Sequence, residues 1–425
     1  MDKTLVNKIL ITLGFLLIFR VLAYVPTPGI DVDAVKEVFN ALKDSEGGGL
    51  FSMFSMFSGN AVERFSIISL GIMPYITAAI IMELMAATVP ELGKMKKERD
   101  GMQRYMQIVR YLTVGIALIQ SIGVAIGLNS MIAPTDGRSA IMLDMTTFVA
   151  LAAVSMTAGT MILLWIGEQI TQRGVGNGTS LIIFGGIVAS IPNAIGSVIS
   201  GVNTNQMNFL VLIMILLVIL ATVAAIIYVE LAERRVPISY SRKVQIESQN
   251  KRVMNYIPIK INLSGVIPPI FASAILMFPL TVLQGSQNQY VTTVLDFLNP
   301  NGYVYNAVTF FLVIFFAYFY ASIVFNPKDI AENLKRQGGF IPGVRPGQHS
   351  SEYLSEIASR LTLTGAIYLA IISTLPWVLV KSMGVPFYFG GTAVLIVVQV
   401  ALDTMRKIEA QIYMSRFQTL SAVGL

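Results

Sequence analysis

The sequence GIMPYI, residues 71–76, has a counterpart in GVIPPI, residues 265–270. Each begins with glycine, has proline at its fourth position and ends in isoleucine. A second pair, GTSLII (178–183) and GTAVLI (391–396), also ends in isoleucine. The two pairs lie in the second and fifth hydrophobic segments of each half of the chain, so they predict an internal duplication. Because five is an odd number, the second half is predicted to cross the membrane in the inverted sense.

The composition predicts an all-α membrane protein. Hydrophobic residues make up 54% of the 425 residues and charged residues only 13%, and the mean hydropathy is +0.68. A helix needs roughly 20 apolar residues to cross a bilayer. Ten such spans are predicted, at residues 8–26, 66–90, 104–128, 145–167, 178–199, 207–231, 261–284, 304–326, 359–380 and 386–405. They divide the chain into an N-terminal half, residues 1–200, and a C-terminal half, residues 201–425.

The distribution of positive charge supports this topology. With a cytoplasmic N-terminus, 24 of the 30 Lys and Arg residues fall on the cytoplasmic side, as the positive-inside rule requires. Residues 8–26 have no signal-peptide cleavage site and lead into nine further spans. We therefore expect a multi-pass protein of the cell's cytoplasmic membrane, with both termini in the cytoplasm.

No pattern in the sequence indicates catalysis or cofactor binding. Cysteine is absent, which excludes disulfides, iron–sulfur clusters and thiolate nucleophiles. The single histidine, His349, does not suffice for a histidine-based metal site, and there is no Walker A motif. We therefore expect that the protein is not an enzyme and binds no cofactor or metal.

Two transport functions fit an inverted repeat. Secondary transporters often have this architecture, but the ion-coupled ones usually bury charged groups near the membrane midplane. Here the charged residues within the spans lie near span ends: Arg20, Glu83, Glu168, Glu230 and Asp403. A route lined by isoleucine and glycine suits a hydrophobic constriction better than a path for polar solutes. A channel is the leading prediction, and a secondary solute transporter is the alternative.

Two predicted cytoplasmic loops, residues 232–260 and 327–358, are longer and more basic than a connection between spans requires. The first contains ERRVPISYSRK (233–243), and the second region contains NPKDIAENLKRQGGFIPGVRPG (326–347). The Pro and Gly residues of the latter indicate an ordered projection. Basic loops of this kind suit docking to ribosomal RNA or to an acidic protein surface.

The segment GGGLFSMFSMFSGNAVERF, residues 47–65, precedes the second span and is too short to cross a bilayer. From its composition alone, a re-entrant or interfacial helix is expected. The glycines at 47–49 predict a hinge at its start, and Gly59 and Asn60 predict a break before the second span.

Several longer motifs resemble the SecY family, the channel subunits of the Sec protein translocon. They are LGIMPYITAAII (70–81), GEQITQRGVGNGTS (167–180), ERRVPISYSRK (233–243), NLSGVIPPIFASAILMFP (262–279), FNPKDIAENLKRQGGFIPGVRPG (325–347) and PFYFGGTAVLIVVQVALD (386–403). The resemblance extends from FRVLAYVPTPGID (19–31) to the C-terminal tail, and motifs of this length are highly specific. It implies a clamshell of ten transmembrane helices in two inverted five-helix halves. Unfolded preproteins would cross through the pore between the halves, and membrane helices would leave through a lateral gate.

The resemblance also implies the parts that close the pore. A ring of apolar side chains would form its waist: Ile72, Ile76, Thr179, Ile183, Ile270 and Ile396. Thr179 is a departure, because the family usually has isoleucine at that position. Segment 47–65 would be the family's short plug helix beneath this ring, and its packing residues would be Phe51, Met53, Phe54, Met56 and Phe57.

The resemblance places the lateral gate between spans 2 and 3 on one side and spans 7 and 8 on the other. A polar patch of Thr77, Gln120 and Asn262 is expected to bond across the closed seam. Glu83, near the cytoplasmic end of span 2, stands where relatives often have glutamine. Signal peptides and nascent chains would open this seam toward the membrane lipids.

The two basic loops would then be the docking surface for the SecA motor ATPase and for the ribosome. Arg345 is expected to be the main contact, with Arg234, Arg235, Arg242 and Lys243 in support. The resemblance also implies the subunits SecE and SecG as partners.

Overall fold

Long α-helices dominate the structure, which is a computed structural model that describes residues 3–43, 55, 57–129, 141–203, 209–240, 256–283, 298–299, 302–383 and 391–422. The helices are α1 Lys3–Leu22, α2 Val32–Lys43, α3 Met73–Thr88, α4 Pro90–Lys97, α5 Arg99–Asn129, α6 Met145–Arg173, α7 Gly178–Asn203, α8 Phe209–Leu231, α9 Ile267–Leu283, α10 Tyr303–Val324, α11 Pro327–Arg336, α12 Gln348–Met383 and α13 Gly391–Ala422. Four short strands are β1 Glu233–Pro237, β2 Ser239–Tyr240, β3 Tyr256–Lys260 and β4 Gly339–Phe340.

The helices agree with the predicted spans, because each of the ten spans overlaps one of the longer helices. Within the described residues, six helices are individually long and apolar enough to cross a membrane, namely α1, α5, α6, α8, α10 and α12. The bent pair α3–α4 makes a seventh candidate, and α7 and α9 contain shorter apolar stretches. Helix α13 begins apolar and becomes charged from Asp403 onward. The prediction of an all-α membrane protein is confirmed.

The repeated motifs adopt matching local conformations. Gly71 and Gly265, the first residues of the two GxxPxI copies, both have positive φ, at 58° and 66°. Only glycine adopts this region without strain. In each copy a helix begins two residues later and carries proline in its first turn, where the missing N–H costs nothing. Gly178 and Gly391 are likewise the first residues of α7 and α13. The duplication read from sequence therefore has a structural counterpart.

The predicted span 66–90 is wrong at its start, because α3 begins only at Met73. Residues 66 and 67 are instead tied to the last residue of α1 and to the segment that follows it. The Ser66 hydroxyl donates to the carbonyl oxygen of Leu22 (2.8 Å), and the Ile67 N–H donates to that of Val25 (3.0 Å). These bonds compete with helix formation, as serine side chains often do.

A sharp bend of 114° separates α3 from α4. Val89, which precedes Pro90, is extended (φ −101°, ψ 110°), because proline disfavours helical geometry in the residue before it. An ion pair between Glu83 of α3 and Lys96 of α4 links the two helices across the bend. The basic helix α4 therefore continues away from the axis of α3.

The two halves meet along two lines. On one side α3 and α5 pack against α9, and on the other α7 packs against α8 and α13. Helix α1 packs against α6, α7 and α13. A single buried hydrophobic cluster contains side chains from both halves.

Gly159 of α6 supports a prediction about stability. A Cβ atom at this position would overlap the carbonyl oxygen of Ile67, in the irregular segment before α3. Because neither backbone can yield cheaply, Gly159→Ala should lower the free energy of unfolding by about 1–3 kcal/mol. Thermal unfolding of the detergent-solubilised protein measures this effect.

Gly115→Ala is the matched control for that measurement. Gly115 lies within α5, and apart from the adjacent backbone of that helix no atom lies within 4 Å of a Cβ built there. Alanine is a better helix former than glycine, so this variant should be neutral or slightly stabilised. Equal unfolding temperatures for the two variants would contradict the close packing of α6 on residue 67.

Candidate functional site

Five of the six predicted ring residues are buried in one cluster. Ile72 immediately precedes α3, Ile76 lies within it, and Ile183, Ile270 and Ile396 lie on α7, α9 and α13. None has more than 8% of its surface exposed, and all five belong to the hydrophobic cluster that contains residues of both halves. Four helices thus bring branched apolar side chains into one core.

Thr179 has a different environment from the isoleucines. Its N–H and its hydroxyl both donate to Oδ1 of Asn177, at 3.2 and 2.8 Å, at the start of α7. Its methyl carbon is close to Gly167 of α6, where an added Cβ would lie 3.4 Å from it. Thr179 is half-buried, and these contacts belong to the packing of α7 on α6. Its membership of the ring stays a prediction.

The end of segment 47–65 lies beside the start of α3. Of its predicted packing residues, Phe51, Met53, Phe54 and Met56 lie outside the described part of the chain. Phe57 is buried in the same cluster as the isoleucines. A Cβ on Gly71 would lie 3.6 Å from the carbonyl oxygen of Phe57, so these residues approach each other next to Ile72.

The predicted break at Gly59 and Asn60 is confirmed. Residues 57 and 58 are helical, and the next two have positive φ, 69° and 65°. The Asn60 N–H donates back to the carbonyl oxygen of Ser55 at 2.7 Å. The helix therefore ends in the left-handed turn that commonly terminates helices.

The predicted gate residues lie on α3, on α5 and just before α9, but the described bonds of Thr77 and Asn262 stay within their own halves. The Thr77 hydroxyl donates to the carbonyl oxygen of Met73, one turn back in α3. Gln120 of α5 is buried, and its Oε1 has no hydrogen-bond partner among the described residues. Glu83 pairs with Lys96. Bonding of the polar patch across the seam stays a prediction.

Asn262 is the centre of a buried polar network just before α9. Its Nδ2 donates to a carboxylate oxygen of Glu230, at the end of α8, at 2.6 Å, and to the carbonyl of Gly265 at 3.2 Å. Its Oδ1 accepts from the N–H of Gly265 at 3.0 Å and from the Ser264 hydroxyl at 3.1 Å. Arg406 of α13 donates to the backbone carbonyl of Glu230. The side chains of Asn262 and Glu230 are both buried.

Sequence reasoning identified Glu230 only as a charge near a span end and missed this network. The one available signal was that a buried carboxylate needs a hydrogen-bond donor. The sequence around Glu230 does not identify that donor, because Asn262 lies 32 residues away.

The described parts of the two basic loops form one folded platform. Strands β1 and β3 pair antiparallel within the first loop, and β2 pairs with β4, which follows α11 in the second. Beneath them lies a small hydrophobic core of Val236, Ile259, Leu334, Ile341 and Leu354. We call this unit the platform: residues 233–240, 256–260 and 327–347. It confirms that the second loop is ordered.

The platform displays its arginines on the surface. Arg234, Arg235 and Arg345 are exposed, whereas Arg242 and Lys243 lie outside the described residues. The Arg235 guanidinium donates to Glu233 at 2.8 Å and lies 4.8 Å from the centre of the Tyr256 ring. The pKa of Arg235 is raised, mainly by the hydrogen bond to Glu233. The nearby Tyr256 and the charge of Glu233 raise it further, so this residue stays cationic.

Arg345 is mounted on a well-defined turn. Gly343 and Gly347 flank it with φ of 82° and 103°. The Ser350 hydroxyl donates to the Arg345 carbonyl at 2.9 Å, and the neighbouring Val344 packs on the platform core. Among the described residues no carboxylate forms an ion pair with the Arg345 guanidinium. Its backbone is fixed while its charge faces outward.

Known proteins match this chain over its whole length. A profile of the SecY family matches residues 66–405. The chain is 65% identical over 425 residues to the protein translocase subunit SecY of Helicobacter pylori, covering 100% of both chains. It is 39% identical over 422 residues to that of Vibrio cholerae, covering 97% of this chain and 93% of the other.

Solved structures share the fold. One is described as a protein conducting channel (TM-score 0.67, 16% identity, 96% of this chain and 93% of that one). Another concerns the plug domain of the SecY protein, which stabilises the closed channel and maintains a membrane seal (0.66, 17%, with 96% and 93% covered). A third is the channel of the canine ribosome–channel complex from the endoplasmic reticulum (0.61, 16%, with 96% and 93% covered). The prediction of a channel rather than an enzyme is confirmed, and the chain belongs to the SecY family of protein translocase subunits.

Proposed function

We propose that the chain is a passive protein-conducting pore, closed at its waist by the five isoleucines and gated where α9 meets α3 and α5. The observation that carries this proposal is the burial of Ile72, Ile76, Ile183, Ile270 and Ile396 in the large hydrophobic cluster that contains side chains of both halves. The two halves that separate when a translocating polypeptide passes are residues 1–200 and 201–425.

A ring of branched apolar side chains can block ions and water without binding a polypeptide. It forms a dry constriction that dewets when closed, and it offers a passing chain no hydrogen bonds or charges to hold it. The two isoleucine pairs related by the duplication, Ile76 with Ile270 and Ile183 with Ile396, give the ring matched contributions from each half.

Segment 47–65 is the plug in this proposal. Burial of Phe57 with the ring isoleucines, and its approach to Gly71, support a position directly beside the constriction. Its Phe and Met side chains provide adaptable packing of low specificity. Such packing can seal a resting channel and still release when a chain arrives.

The seam between α9 and the pair α3 and α5 is the lateral gate. Hydrogen bonds between transmembrane helices contribute only about 1 kcal/mol or less each. A hydrophobic signal helix gains about 0.3–0.6 kcal/mol per apolar residue on insertion into the membrane. A signal peptide can therefore open the gate, and a nascent membrane helix can leave through it into the lipid.

The platform is the docking surface for the force-generating partners, the SecA motor and the ribosome. Exposed arginines on an ordered base suit both RNA and acidic protein surfaces. One similar structure comes from a ribosome–channel complex, which supports the second partner. We also propose both termini in the cytoplasm, and association with SecE and SecG.

Reconstituted vesicles test this function. The purified channel with its partner subunits should translocate a signal-bearing preprotein only when SecA and ATP are supplied. Saturable flux of a small solute without SecA or ATP would instead identify a secondary transporter. As a negative control, the same preprotein without its signal should remain outside.

A further inference from the structure

Arg20 is a cation near the end of the first span that none of the roles above uses. A charged residue inside a membrane span is costly and normally has a specific partner. The guanidinium of Arg20 donates through Nη1 to the carbonyl oxygen of Gly59 at 2.8 Å, and through Nη2 to the hydroxyl of Tyr24 at 3.0 Å. The first of these acceptors lies 39 residues further along the chain.

The carbonyl that Arg20 binds lies within the plug segment, directly after its helical residues. Gly59 follows helical residues 57 and 58 and adopts φ 69°. A Cβ at this position would lie 3.1 Å from Cα of Gly186 in α7, so the backbone sits directly on that helix. Because the Asn60 N–H bonds back to Ser55, the turn is internally fixed. Holding Gly59 therefore holds the last turn of the plug against α1 and α7.

The geometry of Arg20 suits it to this task better than a lysine would. A planar guanidinium can donate to two acceptors from different nitrogens, whereas an ammonium is a point charge. Tyr24 orients the guanidinium, and the guanidinium of Arg64 lies over the Tyr24 ring, 3.9 Å from its centre. A hydrogen bond with a charged donor is also stronger than a neutral one.

We propose that Arg20 is the latch of the plug, a positioning residue whose bond to the Gly59 carbonyl sets how often the plug leaves its seat. The inference rests on the proposed role of residues 47–65 as the plug. When a chain displaces the plug, the bond breaks, and the carbonyl and the guanidinium are both hydrated in the opened channel. The bond re-forms when the plug returns, so the latch is reversible.

Two readouts test the latch in reconstituted vesicles that contain the full channel complex. One is resting ion conductance. The other is the rate at which an impermeant maleimide labels Ser58→Cys, a near-isosteric reporter at a site with 1% exposure. The chain has no native cysteine, so this label reports one position. Arg20→Ala should raise both the labelling rate and the conductance about tenfold, the effect of losing one charge-assisted hydrogen bond.

Further variants separate the latch from a general loss of structure. Arg20→Lys keeps the charge, and its effect should be intermediate, which provides a test if Arg20→Ala folds poorly. Lys8→Ala removes a cation from the same helix and should change neither readout. In a channel that lacks residues 51–62, Arg20→Ala should cause no further rise in conductance, because the latch acts only through the plug.

The outcomes for the latch and the plug are distinguishable. Unchanged labelling in both Arg20 variants would overturn the latch, as would an equal rise in conductance with and without residues 51–62. If deletion of residues 51–62 leaves the conductance unchanged while Arg20→Ala still accelerates labelling, the latch stands and the sealing role of the plug fails.

Discussion

Replacing Arg345 by glutamate is expected to abolish SecA-driven export while leaving the channel inserted in the membrane. The side chain is exposed on a turn fixed by two left-handed glycines and by the Ser350 hydroxyl bond. Charge reversal therefore changes the surface that a partner meets without disturbing the platform core. At a docking contact it replaces an attraction by a repulsion, which costs several kcal/mol across an interface. Export of a preprotein into vesicles should fall at least about a hundredfold.

Arg336→Glu is the matched control for this experiment. Arg336 lies on α11 of the same platform, but its guanidinium already pairs with Glu332, one turn earlier in that helix, at 2.7 Å. Reversing the charge at Arg336 should leave most of the preprotein export activity intact. Equal loss in both variants would indicate that general charge, and not the Arg345 contact, governs docking. Normal export by Arg345→Glu would contradict the assignment directly.

Asn262→Ala has the second largest expected effect. The substitution removes the donor to the Glu230 carboxylate and the acceptor of the Gly265 N–H, both at the start of α9. Leaving a buried carboxylate without its hydrogen bond costs about 1–3 kcal/mol, or more for a full charge. We expect α9 to lose its anchor at this end, so the closed gate should open about tenfold more often.

An engineered cysteine pair, with one residue on α3 and one on α9, can measure that opening through its rate of disulfide formation. Asn306→Ala is the control. It also removes an amide that donates to a glycine carbonyl, here Gly302, but this bond lies at the start of α10 and not of α9. In the Glu230→Gln background the effect of Asn262→Ala should shrink, because a neutral amide is cheaper to leave unpaired. Equal effects in both backgrounds would show that the carboxylate is not the partner that matters.

The sequence predicts the helical framework well because its signals are local. Hydrophobic length located a helix in each of the ten predicted spans, and the predicted start of the fifth span at Gly178 is the first residue of α7. The break at Gly59 and Asn60 followed from residue types that tolerate positive φ. The late start of α3 did not follow, because residues 66–72 are apolar enough for a helix, whereas Ser66 and Ile67 bond instead to residues 22 and 25 at and after the end of α1.

Local sequence patterns did not predict which side chains bond to partners far away in the sequence. Arg20 with Gly59, Glu83 with Lys96, and Asn262 with Glu230 are set by how the helices pack. A periodic pattern reports which face of a helix is apolar, and it carries no information about which distant polar group will meet it. The pairing of β2 with β4 was also missed, because the two strands are far apart in the sequence. Each strand has only two residues, which is too short for a recognisable strand pattern.

The pairing of β2 with β4 has a mechanical consequence. It fastens the two loops to each other, and their shared core also includes Leu263, the neighbour of Asn262 just before α9, and Phe325, which directly follows α10. In the function proposed above, a force that a docked partner exerts on the platform would act at the start of α9, the helix that borders the proposed lateral gate. We therefore expect docking and gate opening to be mechanically coupled, because the unit that would bind the partner packs against the residue that precedes α9.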